Sequence, residues 1–210
     1  MMETIYSTAT DLFTRGGWVM WPLCVMSLVA VTLILERCWF WFGLNGAGNV
    51  ARLAAMMQRL RQGDTAGAEA LARNDSSVYG RIVLQLLREP ATDAAGLAAV
   101  ESQRHRLERF MPTLSTIITA APMLGILGTV TGIIRSLNLL SQQVSTTDPR
   151  LVAHGIAEAL ITTAAGLVVA LVVLFPYNAF RAQLDRTMGR IEALIAAVQG
   201  MERGIEGLKD

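Results

Sequence analysis

Residues 121–132 read Ala-Pro-Met-Leu-Gly-Ile-Leu-Gly-Thr-Val-Thr-Gly and lie inside an uncharged run from Met111 to Ile134. On a helix, Ala121, Gly125, Gly128, Thr129, Gly132 and Ser136 recur at spacings of three and four, so one stripe carries almost no side-chain bulk. In a membrane such a stripe lets another helix come close, and it would place the Thr129 hydroxyl in a packed groove or a pore instead of against lipid. Packing is the commoner use of such glycines, and hydroxyls in membrane helices often bond back to their own carbonyls.

Two further runs flank this one. Trp18 to Leu35 is an uncharged stretch of 18 residues and Ala159 to Phe180 one of 22, beside the 24 from Met111 to Ile134. Each approaches the roughly 20 residues that span a bilayer's hydrocarbon. With 52% hydrophobic residues and a mean hydropathy of +0.42 over 210 residues, the composition agrees. The expected fold is an all-α membrane protein with three transmembrane helices, the second and third extended into a cytoplasmic helical bundle.

Basic residues set the orientation. Between Gly43 and Glu108 there are eight arginines, and the tail after Phe180 carries Arg181, Arg186, Arg190, Arg203 and Lys209, whereas Ser141 to Ala153 holds only Arg150. By the positive-inside rule the N-terminus is outside and the long loop and tail are cytoplasmic. The expected segments are then an outer lead-in at 1–17, spans at 18–42, 111–140 and 154–180, a cytoplasmic helical region at 43–110, an outer loop at 141–153 and a cytoplasmic tail at 181–210. Glu3 and Asp11 against Arg15 make a poor signal peptide, so the first span reads as an uncleaved anchor. Trp39, Phe40, Trp41 and Phe42 suit the inner interface. Glu36 and Arg37 are adjacent on that helix, which predicts that they point apart and do not pair.

In the 43–110 region Asp64 is placed to cap a short helix through Ala72, Val78 to Leu87 is amphipathic, Pro90 stops it, and Thr92 or Asp93 caps the next helix. That helix meets no strong breaker before Pro112, so it is expected to run into the second span. After Arg181, Leu184, Met188, Ile191, Ile195 and Val198 mark one buried side of a continuing helix.

Several functions are excluded. A net charge of +1 without a basic face argues against nucleic acid. No nucleophile with a base, phosphate loop or metal cluster occurs, so neither an enzyme nor a cofactor is expected. His105 sits among Glu101, Arg104 and Glu108 as part of a charged face, and His154 is a loop histidine one turn before Glu158; neither has companions for a metal. Cys24 and Cys38 read as packing residues.

Glu158 stands at the start of the third span, with Thr162 on nearly the same face and Thr163 aligned with Gly166 and Ala170. A carboxylate at the bilayer centre costs about 2.5–3.5 kcal/mol, less toward the boundary, so it needs a cavity or a partner. Treating the second and third spans as a symmetric hairpin puts Thr129 level with Ala164, beside Thr163, and Arg135 level with Glu158. Thr129 and Thr163 would then form one polar ring in an assembly, and Arg135 with Glu158 an ion pair.

The stretch APMLGILGTVTGII, with GIAEALITTAAGLVVAL and the following PYNAF, resembles the paired signature of the MotA/TolQ/ExbB proton-channel family, closest to its ExbB and TolQ branches. The resemblance implies a pentameric inner-membrane stator around the helices of an ExbD- or TolR-like single-span partner, coupling the proton motive force to work at the outer membrane through a TonB- or TolA-like protein. It also implies that Thr129, Glu158 and Thr163 hold the important polar positions and Pro122 the helix irregularity; Arg135 departs from the pattern. The longer cytoplasmic insertion of flagellar stators is missing. A transducer needs a titratable carrier, and these spans offer only threonines and Glu158, so the main carrier is expected to be the partner's membrane aspartate. TonB-dependent transport is favoured; the alternatives are a TolQ-like subunit of the Tol-Pal envelope system and a non-conducting oligomeric scaffold.

Overall fold

The computed structural model describes residues 17–88, 92–142 and 149–206, with the side chains of 139–142, 149–152, 154, 158 and 202–206 outside that description. The lead-in expected before residue 17, the stop at Pro90, the centre of the 141–153 loop, and the side chains of His154 and Glu158 therefore lie outside the described residues. Seven helices are described: α1 (Met20–Leu44), α2 (Ala47–Arg61), α3 (Thr65–Arg73), α4 (Val78–Leu86), α5 (Asp93–Leu107), α6 (Met111–Gln142) and α7 (Pro149–Glu206). Three of them, α1, α6 and α7, are long and apolar enough to cross a membrane, and no strand occurs among the described residues. The protein is an all-α membrane protein.

The chain folds as two compact units. The first contains the beginning of α1, α6 and α7 through Asn178. Its core is Val19, Leu23, Ala121 and Ala170, against which Met20, Met26, Leu124, Ala165 and Val169 pack. Its outer faces carry exposed Val25 and Leu28, Ile126 and Val130, and Leu171 and Phe175. Apolar faces of this extent suit hydrocarbon or neighbouring helices.

The second unit runs from Glu36 to Arg109 and from Ala179 onward. Helices α3, α4 and α5 start on side-chain caps, whereas α2 follows Gly46 without one. Asp64 accepts from the Gly67 N–H at 2.8 Å, Ser77 from the Tyr79 N–H at 3.2 Å, and Thr92, not Asp93, from the Ala95 N–H at 3.2 Å. Helices α2 to α5 pack in chain order around buried Met56, Leu60, Ala72, Ile82, Leu86 and Leu107. Ile191, Leu194 and Val198 of α7 are buried in the same unit, on the face that the sequence pattern marks.

Two expectations are corrected. The second span is not continuous with the helix before it: α5 ends at Leu107 with Glu108 as its C-cap, and α6 begins at Met111. Phe110 sits at φ 66, a left-handed conformation uncommon for a bulky residue, and its carbonyl accepts the Leu114 N–H at 3.0 Å, so a new helix is started there. Pro112 falls in the first turn of α6, where a missing N–H breaks no helical bond. Only the third span is extended, α7 running for 58 residues.

Glu36 and Arg37 do pair. Arg37 is buried, and its Nε and Nη2 donate to the two Glu36 carboxylate oxygens at 2.6 and 2.9 Å. The long guanidinium stem bends along the helix to lie over the Phe40 ring, 4.4 Å from its centre, and Nη1 reaches the Arg106 carbonyl at 3.1 Å. Burial of the stem overrides the divergence of the two Cβ directions.

A Cβ on Gly80 would lie 2.9 Å from the Asp75 Cβ and 3.0 Å from the Ala72 carbonyl oxygen. Backbone cannot yield there, so Gly80→Ala is expected to lower stability by about 1–3 kcal/mol, read as a lower unfolding midpoint in detergent. Hydrogen bonds from the Gly67 N–H and from Arg59 hold the Asp64 carboxyl below its ordinary pKa. The cap's contribution is therefore complete above the ordinary carboxylate range and lost as pH falls through the lower folded value. Amide-exchange protection at Gly67 should fall with acid in that window, and Asp64→Asn should keep the cap while abolishing the pH dependence.

Candidate functional site: the α6/α7 hairpin

The small-residue stripe of α6 meets α7 directly. A Cβ on Gly125 would sit 3.0 Å from the Thr163 Cα, on Gly128 2.6 Å from the Thr162 Cγ2, and on Gly132 2.8 Å from the Ala159 Cβ. From the other side, a Cβ on Gly166 would sit 3.2 Å from the Gly125 Cα, and one on Gly155 would collide with the Ser136 hydroxyl. The glycines are absent side chains that the neighbouring helix occupies. Contact this close is how membrane helices associate where no hydrophobic drive separates protein from lipid.

Four hydroxyls of this hairpin donate to carbonyls of α6. Thr129 Oγ1 donates to the Ile126 carbonyl at 2.6 Å, Thr131 Oγ1 to the Leu127 carbonyl at 2.9 Å, and Ser136 Oγ to the Gly132 carbonyl at 2.9 Å. Thr163 Oγ1 crosses from α7 to the Gly125 carbonyl at 2.9 Å. Thr162 is buried at 1% exposure against Gly128. Pro122 is half-buried within α6, which continues through it, and its missing N–H leaves the Ile118 carbonyl without its helical donor.

A profile of the MotA/TolQ/ExbB proton channel family matches residues 83–193. The chain is also 38% identical over 184 residues to an ExbB-like biopolymer transport protein (ExbB-like 3) of Synechocystis, covering 84% of this chain and 87% of that one. It is 30% identical to the Tol-Pal system protein TolQ of Pseudomonas aeruginosa over 81% and 87% of the two chains. Against the biopolymer transport protein exbB1 of Vibrio cholerae it is 29% identical over 84% and 80%. The chain belongs to the MotA/TolQ/ExbB proton channel family. Members of this family are membrane channel or scaffold proteins and not enzymes.

Within this MotA/TolQ/ExbB chain the register of the hairpin differs from the symmetric one. Gly125 faces Thr163, Gly132 faces Ala159 and Ser136 faces Gly155, so Thr129 lies toward Thr162 and the residues beyond it, not level with Ala164. Thr129 follows the Gly128 that meets Thr162, so it is offset from Thr163 by about two residues at most, roughly 3 Å along the axis. Arg135 comes beside the Gly155 level instead of that of Glu158, which falls near Gly132. The physical reason is that glycine contacts, not the centre of the loop, fix the sliding of one helix on the other.

Thr131 was not singled out by its sequence context, although it lines a cavity with Thr162 and Arg135. Its only signal was its place one residue before Gly132 in the small-residue stretch. Two substitutions test the contact. Gly166→Leu should separate the hairpin and abolish a stable folded form in detergent, whereas Thr163→Val should cost only about 0.6–1.7 kcal/mol by removing one interhelical hydrogen bond.

Proposed function

We propose that the protein is an ExbB-type stator subunit of the bacterial inner membrane which, with an ExbD/TolR-like single-span partner, converts the proton motive force into mechanical work at the outer membrane, with TonB-dependent transport favoured. Several copies, five by family precedent, surround the partner's helices; the N-terminus is periplasmic and the C-terminus cytoplasmic. The observation that carries this reading is the hairpin itself, a rigid wall whose threonine hydroxyls lie on closely packed helices with large apolar faces left for neighbours.

Arg135 and Glu158 are the only charged residues in the stretches 111–138 and 155–180. Protons moving down the gradient gain about 2.3 kcal/mol per 100 mV and need a titrating carrier. The partner's membrane aspartate supplies it, and Thr129 and Thr163 with Glu158 form the wall past which it works, Thr162 lying buried behind them against Gly128. In this reading Arg135 and Glu158 are paired as ions, which leaves the partner's aspartate as the carrier. The TolQ of P. aeruginosa, similar over 81% of this chain, supports a second reading as the Tol-Pal counterpart.

The test is replacement of Thr129 and Thr163 by Val, which keeps shape and removes the hydroxyls. Proton-gradient-dependent activity should fall about tenfold or more at unchanged membrane levels, equal to about 1.4 kcal/mol or more of barrier. Full activity in both variants would leave the protein a scaffold. Complementation of strains lacking either the TonB-linked or the Tol-linked subunit separates the two branches.

A further inference from the structure

A cavity of about 70 Å³ lies in the first unit, lined by Gly17, Trp18 and Val19 before and at the start of α1, by Gly128, Thr131, Gly132 and Arg135 of α6, and by Ala159 and Thr162 of α7. A water centre needs about 10–15 Å³ and two to four polar partners. The volume accommodates several, and the walls supply partners: the Thr131 hydroxyl, whose proton is directed to the Leu127 carbonyl so that its lone pairs are presented, the Thr162 side chain, and the donors of Arg135. Trp18 and Arg135 are exposed and form the rim, while Val19 and Thr162 are buried and form the floor.

The sequence around Arg135 calls for the same feature. Ile133, Ile134 and Leu137 present exposed apolar side chains on either side of it, so the guanidinium is attached to a helix that otherwise faces hydrocarbon or other helices. A charge so placed needs water or a polar cavity within reach of its side chain. The glycines make the room: Gly128 and Gly132 contribute backbone to the cavity where any side chain would meet Thr162 or Ala159.

From this geometry we infer that each subunit contains its own water-filled vestibule, between the start of α1 and the α6/α7 hairpin, running from a rim at Arg135 to a floor at Thr131 and Thr162. The vestibule is internal to one chain. A proton path that operates past the hairpin then has water access inside each subunit, apart from any axis shared between subunits, but hydration of the vestibule does not depend on proton conduction.

The experiment is cysteine alkylation in the full-length protein in membrane vesicles, in a Cys24→Ser, Cys38→Ser background that removes both native thiols. Thr131→Cys is placed on one wall and Thr162→Cys on the other, with Val130→Cys, on the exposed apolar face, as reference. Only a thiolate in water reacts with iodoacetate, its sulfur displacing iodide from carbon, and so Thr131→Cys should be modified about tenfold or more faster than Val130→Cys. Thr162→Cys gives the same reading from the opposite wall if the first variant does not accumulate. Thiols at both positions reacting as slowly as the reference would overturn the vestibule. Because alkylation needs neither partner nor gradient, that failure is distinct from the loss of activity that tests the stator reading.

Discussion

The close approach of α6 to α7 depends on glycines whose missing side chains the facing helix fills, and most of the first unit follows from that. Where Gly125, Gly128 and Gly132 lack side chains, α7 sets down Thr163, Thr162 and Ala159, and where Gly166 lacks one, α6 sets down its own backbone at Ala121 and Gly125. In hydrocarbon no apolar surface is removed from water when two helices meet, so dispersion and a few hydrogen bonds must suffice, and both fall away steeply with distance. Close contact also lets Thr163 reach the Gly125 carbonyl across the interface. One constraint thus fixes the separation, the register and the level of each hydroxyl.

The second unit solves a different problem by different means. Its helices are short, and isolated helices of such length are marginal, so each begins on a side-chain cap or is held by packing. Polar groups are gathered inside it: Arg37 is held by Glu36, Phe40 and the Arg106 carbonyl, and Arg190 donates to Asn45 at 2.9 Å and to the Tyr79 hydroxyl at 3.3 Å. A buried guanidinium such as that of Arg37 is tolerable only when several of its donors are engaged, and Glu36 with the Arg106 carbonyl engages three of its nitrogens.

This division explains what could be read from residue order. The three apolar runs, the caps at Asp64 and Thr92 and the buried side of the α7 extension each depend on neighbours within a few residues, and all were legible. The break before α6 was not, because Phe110 carries no turn signal and Pro112 reads as a breaker when it is an opening residue. The Glu36 and Arg37 pair was missed because Cβ directions say little about where a long side chain ends. Register failed for a related reason. A symmetric loop is a guess about chain length, whereas the alignment of Gly132 with Ala159 and Ser136 with Gly155 is a matter of fit between two surfaces that no single stretch encodes.

The hydroxyls carry one further consequence. Thr129, Thr131, Thr163 and Ser136 all spend their proton on a carbonyl of α6. A hydroxyl so committed shows its surroundings only lone pairs, so these four accept further hydrogen bonds and do not donate them. Such hydroxyls offer acceptors to whatever group approaches them and favour one that has a proton to give. The threonines then act through the direction of their hydrogen bonds. The close packing of α6 on α7 keeps that direction fixed at Thr163, whose acceptor lies on the other helix.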